Sequence, residues 1–123
     1  MNLLEKVLQL EQNADEFGFR WENTAQIMAQ INSECREVEE HLHAHGDQDK
    51  LQEELGDLLH AVFSLCVFCK LNPAQTLEKT LAKFERRMTA VQQLALEQGL
   101  TNLNGYPFAE LMRYWDKAKQ LVG

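Results

Sequence analysis

The sequence predicts an all-α protein, a helical bundle of about five helices in a single domain spanning residues 1–123. Three observations point there. Apolar residues recur at intervals of three and four in five successive segments. No stretch sustains the alternation of a strand, and Asn104-Gly105 runs into Tyr106-Pro107 instead of into a strand-like run. The remaining punctuation, Gly18, Gly46, Asn72-Pro73 and Gly99, falls where helices should begin or end.

The first helix covers about residues 2 to 16, with Leu3, Leu4, Val7, Leu8 and Leu10, and stops near Gly18. "FGFRW" then makes an aromatic connector. A second helix opens at Asn23 or Thr24 and runs to about His43, its stripe formed by Met28, Ile31, Cys35, Val38 and Leu42. Gly46 ends it, and Asp47 or Gln48 opens a third, in which Leu51, Leu55, Leu58, Val62, Leu65 and Cys69 repeat, widened by Leu59 and Cys66. Gly56 lies inside this helix at a cost of roughly 1 kcal/mol relative to alanine, which predicts close packing or ligand approach. Asn72-Pro73 caps and starts a fourth helix of about 25 residues, Gln75 giving it a capping-box-like start and Gly99 closing it. The loop "TNLNGYP" leads to a last helix over about residues 107 to 121.

Composition narrows the function classes. Nineteen acidic against twelve basic residues give a formal charge of -7, which opposes general attraction to nucleic acid or an anionic membrane. The start, "MNLLEKVLQLEQ", has no basic region or cleavage site, and the longest apolar run, "AVFSLCVFC", is too short to span a bilayer, so a cytoplasmic protein is expected. Cys35, Cys66 and Cys69 form an odd set without zinc-ligand spacing and read as core thiols.

The acids carry the chemistry. On the second helix Glu34 lies about 60° and Glu37 about 120° to one side of the apolar stripe; on the third, Glu54 and Asp57 lie about 70° and 130° off it with the same rotational sign. The short "AHGDQ" connection makes these helices antiparallel neighbours, so all four carboxylates fall on one flank. Counted from the turn, the two pairs differ in level by only ~3 Å. Carboxylates gathered so closely repel unless a cation joins them. Oxygen-only ligation suits Mg²⁺, with Mn²⁺ as substitute, and Mg²⁺ characteristically bridges carboxylates and phosphates. On the fourth helix Lys79, Lys83 and Arg87 form an i, i+4, i+8 basic row suited to phosphates, unless Glu78 or Glu85 pairs with it on a solvated face.

Glu34-x-x-Glu37, sixteen intervening residues, then Glu54-Leu55-Gly56-Asp57 followed by two leucines resembles the signature of MazG-type nucleoside triphosphate pyrophosphohydrolases. The resemblance extends over roughly residues 13 to 120, through "KLQEELGDLLHAV", "LEKTLAKFERRM" and "YWDKAK", and is nearest to the second repeat of tandem members. It implies magnesium held by Glu34, Glu37, Glu54 and Asp57, and hydrolysis of a nucleoside triphosphate to its monophosphate and pyrophosphate. Glu37 or Glu53 would orient or deprotonate the attacking water, and Lys50, Lys83, Arg87 and Lys119 would be the basic partners of the substrate. It also implies a dimer or dimer of dimers with sites near the subunit boundary.

Trp21 and Trp115 are candidates to stack on a base. "FGFRWENTAQ" departs from the Cys-Pro-Trp-Asp and Gln-Thr elements of shorter relatives, which bears on base recognition. His41 and His45 share a helix face near a C-terminus, where histidine is commonplace, and His60 is expected to be structural. The alternatives are a superfamily branch acting on phosphoribosyl-ATP or a modified nucleotide, and a non-catalytic helical dimerisation module.

Overall fold

The computed structural model describes residues 1–42 and 46–123. Five helices run in chain order: α1 (Leu3–Phe17), α2 (Thr24–Leu42), α3 (Gln48–Phe68), α4 (Pro73–Glu97) and α5 (Phe108–Val122). No strand occurs among the described residues. None of these helices is long and apolar enough to cross a membrane. The chain divides into two compact units, Met1–Thr76 and Leu77–Gly123, the boundary falling in the first turn of α4.

The helix ends have the expected local chemistry. Asn2 and Glu5 form a reciprocal capping box on α1, and Gly18 closes that helix at φ 100°, a left-handed conformation that glycine adopts without a Cβ penalty. Asp47 caps α3 by accepting from the Lys50 backbone N–H at 3.0 Å, and Asn72 does the same for α4 through Gln75 N–H at 3.0 Å. Asn23 accepts from Gln26 N–H at 2.9 Å ahead of α2. Pro107 opens α5 with no side-chain cap.

In the first unit α3 packs extensively on α2 and more sparingly on α1. Ile27, Val38, Ala61 and Pro73 are buried there, together with two polar residues, Glu54 and Ser64. The face that α3 buries is therefore only partly the one its leucines mark, Leu51, Leu58 and Leu65 being half-buried. Leu55, Leu59 and Val62 stay 42%, 59% and 41% exposed, and on α2 Met28 and Leu42 are exposed as well. Glu54, Ala61 and Ser64 are what α3 sinks deepest, whereas the Leu55, Leu59 and Val62 edge of the stripe is left open.

Of the two readings of Gly56, close packing fails. A Cβ built there meets nothing within 4 Å, so neither close packing nor a neighbouring group accounts for it. Cys35, Cys66 and Cys69 are free thiols, but Cys69 is exposed at the end of α3 and is not a core residue. α1 buries no residue fully and leaves Leu3 and Leu10 exposed, which keeps a groove open beside α3.

In the second unit Val91, Leu94 and Ala95 of α4 and Ala118 of α5 are buried. Phe84 meets Trp115 with ring centroids 5.8 Å apart, and the Arg87 guanidinium lies 5.5 Å from the centroid of the same indole. Arg87 Nε also donates to Gly123 O at 3.0 Å.

Candidate metal centre

Glu34 of α2 and Glu54 and Asp57 of α3 offer carboxylate oxygens that all lie within 4.8 Å of one another. Glu54 and Asp57 share a face because they are three residues apart on one helix, and the α2–α3 packing brings Glu34 to them. Glu54 is buried, Glu34 half-buried and Asp57 exposed, so the cluster runs from the interhelical seam out to solvent. Three anions at this spacing form a hard, oxygen-only donor set, the kind that suits Mg²⁺ or Mn²⁺.

Neighbouring groups hold the cluster in place. Gln30 Nε2 donates to Glu34 Oε1 at 2.7 Å, one helical turn earlier on α2. Lys50 Nζ lies 3.8 Å from Glu54 Oε1 and 3.6 Å from Glu53 Oε2, so a cation already offsets part of the negative charge at the inner end. Gln30 was not singled out from the sequence. Its i, i+4 spacing to Glu34 was the available signal, indistinguishable there from any exposed polar pair.

Of the other candidate residues, Glu37 is exposed and stands outside the group of three; its backbone carbonyl accepts from His41 Nδ1 at 2.8 Å. Glu53 is exposed and also outside the group. His41 thereby spends one ring nitrogen on its own helix, and His45 lies outside the described residues. Lys83 and Lys119 are exposed and belong, with Arg87 and Trp115, to the second unit. Among the described residues neither Glu78 nor Glu85 forms an ion pair with the basic row on α4.

Trp21 is brought beside the carboxylates. It lines a hollow of about 280 Å³ together with Gln30, Glu34, Asp57 and His60. A larger groove of about 1150 Å³ lies between α1 and α3 and shares Trp21, His60 and Ser64 with that hollow. His60, expected to be structural, does join α3 to α1, though from the surface. Its side chain is 65% exposed, and its Nε2 lies 2.7 Å from Glu11 Oε1, an oxygen that also accepts from Ser64 Oγ at 2.6 Å.

An all-α chain with three carboxylates gathered where α2 packs on α3 has the donor set of a divalent-cation site. Comparison with known families makes this specific: residues 22–92 match the MazG nucleotide pyrophosphohydrolase domain, and the chain belongs to that family. It is 32% identical over 111 residues to the nucleoside triphosphate pyrophosphohydrolase/pyrophosphatase MazG of Thermotoga maritima, covering 90% of this chain and 42% of that protein. It is 29% identical over 118 residues to the nucleoside triphosphate pyrophosphohydrolase of Escherichia coli K12, covering 95% of this chain and 44% of that protein. The chain thus spans less than half the length of these curated relatives.

Proposed function

We propose that this chain hydrolyses a nucleoside triphosphate, ribo or deoxy, to the nucleoside monophosphate and pyrophosphate in a magnesium-dependent reaction. The observation that carries the reading is the convergence of Glu34, Glu54 and Asp57 within 4.8 Å, on a chain of the MazG family. The names of its relatives support the same chemistry.

In this reading Glu34, Glu54 and Asp57 hold the ion, and Glu37, one turn beyond Glu34, completes the set. A divalent cation so held supplies positive charge to phosphate oxygens and lowers the cost of generating hydroxide from water. Either Glu37, besides completing that set, or Glu53 orients the attacking water and takes its proton. The water oxygen bonds to the α-phosphorus, the bond from that phosphorus to the bridging oxygen breaks, and pyrophosphate departs. Lys50, 3.8 Å from Glu54 and 3.6 Å from Glu53, exchanges these carboxylate partners for phosphate oxygens in this reading. Lys83, Arg87 and Lys119 are the candidates for the outer phosphates, with Trp21 against the nucleoside and Trp115 as a further candidate for it. Trp21 has the support of lining the hollow beside Glu34 and Asp57.

The family match, residues 22–92, takes in parts of both units, which supports reading that stretch as one functional domain. Exposure of Leu55, Leu59 and Val62 on α3 supports self-association as a homodimer or homotetramer. Three free thiols fit a cytoplasmic setting.

The test is pyrophosphate release from a panel of canonical and modified nucleoside triphosphates and phosphoribosyl-ATP, with magnesium and with chelator. Magnesium-dependent release that Glu54→Ala abolishes is the expected result. Silence across the panel, together with no thermal shift on adding magnesium, would overturn the reading in favour of a non-catalytic helical module.

A further inference from the structure

The carboxylate cluster accounts for phosphates but leaves the rest of a nucleotide without a place. The hollow that contains Glu34 and Asp57 does not end at the cluster; Trp21, His60 and Ser64 also wall the larger groove between α1 and α3. From Asp57 to Ser64 is seven residues of α3, or ~10 Å of helix, a run along which a sugar and base can lie once the phosphates are held at the cluster. Past that neck the groove presents apolar surface from Leu8, Val67, Phe68 and Leu71, suited to a planar ring.

The neck carries a polar arrangement that the phosphate chemistry does not use. Glu11, on α1, has a side chain only 18% exposed, and one of its oxygens accepts from both Ser64 Oγ and His60 Nε2. Ser64 is buried, so its hydroxyl is committed to Glu11. His60 differs: its Nε2–H is spent on Glu11, yet 65% of its side chain is exposed in the shared wall. A carboxylate that accepts at Nε2 fixes the ring's orientation and leaves Nδ1 and the ring face for a ligand.

We propose that His60 is a specificity-determining residue contacting the nucleoside moiety of the substrate, with Glu11 and Ser64 as its positioning residues, and that the α1–α3 groove receives the base. This deepens the pyrophosphohydrolase reading and rests on it. The reaction products separate the two ends of the ligand, since the monophosphate carries the nucleoside and pyrophosphate does not.

The experiment is calorimetric titration, in magnesium, of pyrophosphate and of AMP, GMP, CMP, UMP and dTMP into the wild-type chain, His60→Ala and Glu11→Gln. His60→Ala should weaken the best-bound monophosphate about tenfold, the loss of one hydrogen bond, while pyrophosphate affinity and the magnesium thermal shift hold. Glu11→Gln, which keeps the side chain's size but disturbs the shared acceptor, should weaken the same monophosphate in the same direction. It keeps the test open if His60→Ala fails to fold. A purely structural tether between α1 and α3 would not alter the ratio of monophosphate to pyrophosphate affinity. If both ligands bind the wild type and that ratio is unchanged in the variants, the inference falls while the pyrophosphohydrolase reading stands. If neither binds the wild type in magnesium, both fall together.

Discussion

Replacing Asp57 by asparagine should stabilise the protein without magnesium and destabilise it with magnesium. Asp57 is the exposed member of a group whose carboxylate oxygens lie within 4.8 Å of one another. At that separation each like-charge pair costs about 0.9 kcal/mol at the dielectric of water and about 3.5 kcal/mol at an effective value of 20. Because Asp57 faces solvent the lower figure is the nearer one, and two neighbours then give about 2 kcal/mol, which the Lys50 charge and salt reduce to about 1 kcal/mol. For a chain of this size that corresponds to a melting temperature about 4 °C higher for Asp57→Asn in chelator.

Magnesium reverses the order. An ion at a hundred times its dissociation constant adds about 2.7 kcal/mol to the wild type; a hundredfold loss of affinity in the variant cuts the increment to about 0.4 kcal/mol. The wild type should therefore gain about 10 °C and the variant about 2 °C, and the two ranks should cross. Differential scanning fluorimetry in chelator and across a magnesium series reads both effects. A lower melting temperature for the variant in chelator, or equal magnesium increments in both chains, would refute the reasoning.

Other predictions follow from single contacts. Gln30→Ala removes the hydrogen bond that orients Glu34 and should weaken magnesium about tenfold, read from the midpoint of the same series. Gly56→Ala places a methyl where nothing lies within 4 Å, in a helix interior, and should stabilise by about 0.5–1 kcal/mol in urea unfolding. Asp47→Ala deprives α3 of its N-cap and should cost about 1 kcal/mol in the same assay, leaving the magnesium increment intact. Trp115→Ala removes the ring against which Phe84 and Arg87 pack; a cost of about 2–3 kcal/mol is expected, below that of a fully buried tryptophan because Trp115 is half-buried.

The five helices were legible because their ends are written in short-range chemistry. Asn72-Pro73, Asp47 and Gly18 act on backbone groups within a few residues, and each performs in the structure the role its type suggests. Three of the four motif carboxylates were also placed together by helix arithmetic alone, since 100° per residue and a short connection determine relative positions on an antiparallel pair. That Glu37 stands outside the group depends on side-chain reach and the tilt between helices, which a helical wheel does not contain.

The buried face of α3 is rotated from its leucine stripe for a related reason, taking in Leu51, Leu58 and Leu65 only in part. Leucine spacing marks where apolar surface exists, whereas burial follows where a neighbour's backbone approaches, and Ala61 and Ser64 permit that approach. His60 lies outside that stripe, and what it contacts shows only in the fold. Its partner Glu11 is 49 residues away in sequence, a pairing that no local pattern announces.

In the proposed reaction water attacks the α-phosphate of a nucleoside triphosphate at the Glu34–Glu54–Asp57 cluster. The most direct measurement is hydrolysis in ¹⁸O-labelled water with magnesium, followed by mass spectrometry of both products. Attack there puts label in the nucleoside monophosphate, leaves pyrophosphate unlabelled, and is lost in Glu54→Ala. Label in pyrophosphate, or release of orthophosphate in place of pyrophosphate, would contradict it.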